Sequence, residues 1–104
     1  MITVFSKFPI KAEFCEEYRK YLKDAAEKHI AQEHQGFVNM RLLAPQNLPI
    51  VKANSQFIIE TSWMDIKSFT DYTKSEAFKK LHENLPSDDW FAGPPEVKVY
   101  ETIE

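Results

Sequence analysis

The stretch SQFIIETSWMDIKSFTDYTKSEAFKKLHENLP, Ser55 to Pro86, changes its period part-way along. From Ser55 to Trp63 the side chains alternate. Phe57, Ile59, Thr61 and Trp63 fall on one face and Ile58, Glu60 and Ser62 on the other, as in a strand. After Asp65, whose side-chain oxygen suits a helix N-cap, apolar residues recur at helical spacing. One straight helix does not satisfy all of them. Phe69 and Phe78 are nine positions apart, which at about 100° per residue sets them on opposite sides. A break at Lys74-Ser75 resolves the conflict. Ile66, Phe69 and Thr73 then pack from one segment, and Phe78, Leu81 and Leu85 from the next, with Ser75 as the second N-cap. His82 shares the arc of Phe78, Leu81 and Leu85. An imidazole there is either a satisfied core residue or a group facing a buried ligand.

On the N-terminal side, Ile2 to Phe8 is rich in β-branched and aromatic types and reads as a strand closed by Pro9. Glu13 to His34 reads as a long amphipathic helix. Phe14, Tyr18, Tyr21, Leu22, Ala25 and His29 share its apolar stripe, opposite Glu16, Lys20, Lys23 and Glu27. Gly36 is the expected C-cap, with His34 in the last turn. Phe37 to Leu43 is a second strand, and Pro45 to Ala53 is a connection containing two prolines. Beyond Pro86, a loop to Pro95 carries Trp90 and Phe91, and Val97 to Ile103 forms the last strand.

The order is therefore β-α-β-β-α-β, the ferredoxin-like α+β arrangement with a four-stranded antiparallel sheet, in one domain spanning residues 1–104. Helices on one face leave the other face of such a sheet bare. Both faces carry apolar residues here: Ile2, Val4 and Ile59 on one, Met1, Phe5 and Ile58 on the other. A second copy packed sheet to sheet about a two-fold axis is the expected cover, giving a homodimeric α+β barrel.

With 104 residues and a net charge of −3, the chain has no basic face with which to neutralise phosphates, so nucleic acid is not expected as a partner. Cys15 is the single cysteine, which rules out an intramolecular disulfide. No apolar run approaches the roughly 20 residues that cross a bilayer. The N-terminal run is too short for a secretory signal. The expectation is a soluble, cytoplasmic protein with no membrane partner. No GxGxxG, Walker loop, CxxC, HExxH or GxSxG occurs, so flavin, nicotinamide, nucleotide and triad-hydrolase chemistry find no motif.

The residues able to carry chemistry are few. His82 can ligate haem iron or act as a general base. His29 is its rival on the first helix, where it can simply pack or cap. His29 and Glu33, four apart, could share a metal, but a third ligand is missing. Ser6 shares the strand face of Ile2, Val4 and Phe8, where its hydroxyl either bonds locally or touches a ligand. Tyr72 lies at the edge of its helix's apolar face and Trp63 at a strand end. Trp90 and Phe91 can fold down as a lid or meet a partner subunit.

The combination W-x5-F-T-D-Y-x-K-S-E-A-F-K-K-L-H, Trp63 to His82, resembles the antibiotic biosynthesis monooxygenase family, and within it the haem-degrading, IsdG-like branch. The element order and the Gly36-Phe37 pair opening the second strand agree with it. The resemblance implies a dimeric α+β barrel and a small monooxygenase. Members of the wider family oxidise polycyclic phenols to quinones without metal or flavin. The haem-degrading branch holds haem through a histidine on the second helical region, a position that falls on His82. Lys79, Phe78 and Trp63 are then expected beside the haem, with Lys79 placed to meet a propionate. The branch also uses an asparagine and a tryptophan, whose positions fall on Ser6 and Tyr72 here. His82, Tyr72 and Ser6 are thus the implied catalytic set. Two other functions stay open: cofactor-free oxidation of a phenol or quinol in a slot of Tyr72, Trp63 and Trp90, with His82 assisting deprotonation, and a non-catalytic barrel that binds a small molecule.

Overall fold

The computed structural model describes residues 1–27, 34–83 and 85–104. In chain order the elements are β1 (Ile2–Pro9), α1 (Cys15–Glu27), β2 (Phe37–Leu43), β3 (Gln56–Trp63), α2 (Ile66–Thr73), α3 (Glu76–Glu83) and β4 (Glu96–Glu101), with 3₁₀ turns at Ala12–Phe14 and Asp88–Trp90. The strands form one antiparallel sheet ordered β2-β3-β1-β4. This is the ferredoxin-like α+β topology expected from the sequence.

The register fixes the faces. Val4 pairs with Thr61 and Val99, and Ser6 with Ile59 and Val97. Met40 and Leu42 of β2 continue this row beside Thr61 and Ile59. These residues form the face turned to the helices. The break predicted between Phe69 and Phe78 is present: α2 ends at Thr73, and the Ser75 hydroxyl accepts from the Phe78 N–H at 3.2 Å to start α3. Asp65 caps α2, its carboxylate accepting from the Ser68 N–H and hydroxyl, both at 2.8 Å.

The core lies in two clusters. One gathers Val4, Trp63 and Tyr72 with Phe37, Phe69 and Phe78 around them. The other gathers Ile10, Tyr18, Leu22 and Phe57. Gly36 joins β2 to the first cluster. It has φ +88°, and a Cβ there would collide with the Ser68 side chain. Only glycine satisfies both conditions cheaply.

Several boundaries differ from expectation. The helix predicted over Glu13 to His34 opens as a 3₁₀ turn, with the Phe14 N–H bonded to the Lys11 carbonyl, and becomes α-helical at Cys15. Its described part ends at Glu27. His34 is not helical: its carbonyl accepts from the Phe37 N–H in the turn that leads into β2. His29, Glu33 and Asn84 lie outside the described residues. The last strand is Glu96–Glu101 and not Val97 to Ile103. β1 has only Met1 left to offer, whose carbonyl accepts from the Thr102 N–H, so the ladder stops there.

The sheet face away from the helices is more polar than expected. Phe5, Ile58, Leu43 and Tyr100 occupy it, but Arg41 and Glu60 make a two-pronged ion pair at its centre, with both nitrogen–oxygen distances 2.9 Å. Thr3 and Ser62 lie 3.4 Å apart beside them. The alternation that put Ile58 outward also put Glu60 and Ser62 there. Glu60 is held by its arginine instead of by solvent.

Candidate active site

The two core clusters do not merge. Between them the sheet and the helices enclose a cavity of about 290 Å³. Its floor is the helix-facing side of the sheet: Val4, Ser6 and Phe8 of β1, Ile59 and Thr61 of β3, Met40 and Leu42 of β2. One wall is α1, through Tyr18, Tyr21, Leu22, Ala25 and Ala26. The opposite wall is α2 and α3, through Phe69, Tyr72, Phe78, Leu81 and His82. Leu85, Pro86, Phe91 and Pro95 complete the edge. Among the described lining residues there is no Asp, Glu, Lys or Arg. Among the described lining residues His82 is the one basic side chain, and hydroxyls supply the other polar groups.

The structure brings together four of the sequence-predicted residues: Ser6, Tyr72, Phe78 and His82 all line the cavity. The break between α2 and α3 makes this possible, since it lets Tyr72 and His82 address the same space. His82 is exposed and stands at the rim. Its Nδ1 is 3.0 Å from the Phe78 carbonyl oxygen. A carbonyl only accepts, so Nδ1 carries the proton and Nε2 is left as the base or ligand atom. The Phe78 ring lies 4.1 Å, centroid to centroid, from the imidazole. Tyr72 is buried, and burial pushes its phenol up to about 12. It therefore stays protonated at neutral pH and acts as a neutral hydroxyl, never as a phenolate. Burial likewise raises Tyr18 and Tyr21.

Two predicted residues lie elsewhere. Trp63 has no exposed surface and is absent from the wall. It sits behind Tyr72, with ring centroids 5.1 Å apart, and its indole N–H donates to Thr61 Oγ1 at 3.0 Å. Lys79 projects into solvent from α3, its Nζ 3.6 Å from Glu76. The proposed slot of Tyr72, Trp63 and Trp90 is not assembled either. Trp90 stacks on Phe14 at 5.6 Å, outside the lining. Its neighbour Phe91 does line the cavity, fixed by a backbone bridge to Ile10 and by the Ala92 N–H bonded to the Pro9 carbonyl at 2.9 Å.

Thr61 is a lining residue that sequence reasoning did not single out. The signal was present: it shares the strand face of Ile59 and Trp63. Among the described residues no group of three or more His, Cys, Asp or Glu could hold a metal ion. No described helix is long and apolar enough to cross a membrane.

Residues 1–84 match the sequence pattern of the family described as antibiotic biosynthesis monooxygenase. The chain belongs to that family. No curated protein matches it in sequence. Among solved structures, its fold is similar to that of the haem degrader MhuD from Mycobacterium tuberculosis, which was determined with two haems in its active site. That likeness has a TM-score of 0.77 at 18% identity, over 100% of this chain and 97% of MhuD. A conserved protein from Methanosarcina mazei aligns with a TM-score of 0.69 at 19% identity, over 95% of this chain and 89% of that one. A protein of unknown function from Nitrosomonas europaea aligns with a TM-score of 0.69 at 16% identity, over 99% and 89%. At these identities the likenesses establish the fold of this monooxygenase-family chain.

Proposed function

We propose that this monooxygenase-family protein binds haem in the cavity, with His82 as the ligand to iron. The observation that carries the reading is the bond from His82 Nδ1 to the Phe78 carbonyl. Histidines that ligate metals characteristically donate their second ring nitrogen in this way, which fixes the tautomer and the ring plane. The donor set fits the group: one neutral imidazole nitrogen at the mouth of an apolar cavity free of competing carboxylates among its described lining. The volume of about 290 Å³ stands at the small end of ligand pockets, roughly 300–1,000 Å³. A tetrapyrrole would therefore keep its propionate edge at the rim, in solvent. The haem, when bound, supplies activation of dioxygen with electrons from an external donor. Tyr72 contributes a protonated hydroxyl to the α2 wall, and Ser6 contributes one to the sheet floor. Haem degradation would rest on these two hydroxyls.

The pairing of two copies is part of the proposal. Phe5, Leu43, Ile58 and Tyr100 give the outer sheet face an apolar content that a second copy would cover, and Tyr100 is half exposed. Sedimentation at twice the chain mass is the expected result.

A second reading is favoured by the cavity's size. A two- or three-ring phenol fits wholly inside it, and His82 Nε2 can take the phenolic proton. Two measurements separate the readings. Hemin added to the apo-protein is expected to give a red-shifted Soret band that saturates, and a free-hemin spectrum at all ratios would contradict the first reading. Oxygen uptake with hydroquinones and no hemin would support the second.

A further inference from the structure

Thr61 sits on the cavity floor with its hydroxyl already committed on one side. The Trp63 indole nitrogen is a donor only, so in the 3.0 Å contact Thr61 Oγ1 must accept. The hydroxyl proton then has to point elsewhere. No protein acceptor for it is found among the described residues, and the side chain lines the cavity. Trp63 cannot rotate away: it is fully buried, wedged against Tyr72, Phe69 and Phe37. The same sheet face carries Ser6, whose strand partner is Ile59, two positions from Thr61. That diagonal relation sets the two residues roughly 7 Å apart. Two hydroxyls thus open side by side into an otherwise apolar floor.

We propose that Thr61, turned by Trp63, is the residue that makes the cavity select flat ligands bearing an unprotonated oxygen, such as a quinone carbonyl or a phenolate. Trp63 is a positioning residue in this arrangement, its buried indole N–H held on Thr61 Oγ1. The inference rests on the cavity being the ligand site. It does not need His82 or haem, so the two can fail separately.

The test uses the apo-protein with 1,4-naphthoquinone and, as the hydrocarbon control, naphthalene. Calorimetry is expected to find the quinone bound about 5- to 10-fold more tightly than the control, the effect of one hydrogen bond in an apolar site. The carbonyl stretch of the bound quinone should move to lower frequency. Thr61→Val should remove both effects and leave naphthalene affinity unchanged, while Thr61→Ser should keep them. Trp63→Phe should weaken the preference while Thr61 remains in place. An unshifted carbonyl stretch in the wild-type protein overturns the proposal without any variant. So does equal affinity for the two molecules, binding of neither, or a quinone preference that survives Thr61→Val. Loss of hemin binding alongside an intact quinone preference would remove the haem reading and leave this one standing.

Discussion

Phe78 engages His82 twice, through a carbonyl oxygen 3.0 Å from Nδ1 and through a ring 4.1 Å from the imidazole centroid. Both contacts span one turn of α3, the separate helix that Ser75 starts. If α2 ran on straight, Phe69 and Phe78 would diverge by about half a turn and the imidazole would leave the cavity. The helix break is thus the structural origin of the site.

Gly36 tests the joint between β2 and α2. Gly36→Ala must adopt φ +88° and meet Ser68. The left-handed backbone alone costs about 1–2 kcal/mol, and the collision adds to it. Urea unfolding of Gly36→Ala and of Gly36→Ala with Ser68→Gly, each referred to its parent, should show the second change recovering only the collision part.

Asp65 sets a pH dependence. The bonds from the Ser68 N–H and hydroxyl hold its carboxyl below the usual carboxylate range. A depressed folded value means stability that is present above the unfolded value, about 3.9, and lost as pH falls through the folded one. The thermal midpoint of Asp65→Ala should lie below that of the wild type at neutral pH. The gap should close as pH drops below the usual carboxylate range.

Tyr72 contributes to the fall of stability in alkali. Burial pushes its phenol up to about 12. A raised folded value gives stability that is full below the unfolded value, about 10, and that is lost as pH rises through the folded one. Tyr72→Phe should therefore flatten the fall in stability above about pH 10 and remove one late step from the tyrosinate absorbance titration.

Much of the fold can be read in the residues. The switch of period at Asp65, the N-cap residues Asp65 and Ser75, and the clash between Phe69 and Phe78 place β3, α2 and α3 within a residue or so. The site is half legible. Helical spacing puts Phe78 and His82 together, and strand alternation puts Ser6 on the helix-facing side. Alternation cannot say where helices stand apart from a sheet, so Trp63 reads as a wall residue when it is sealed beneath α2, and Thr61 reads as ordinary strand. Lys79 follows its neighbours in sequence but turns to Glu76. The Arg41–Glu60 pair was hidden because cross-strand register, not spacing along one strand, brings the two together.

In the proposed function, His82 presents Nε2 to a ligand at the cavity mouth. The most direct measurement is the Soret spectrum of hemin with His82→Ala, before and after adding imidazole, beside that of the wild type. The expected result is a shifted band in the wild type, its loss in His82→Ala, and its return when imidazole fills the vacated position. A variant that binds hemin with the wild-type spectrum and affinity, unaffected by imidazole, would contradict the account.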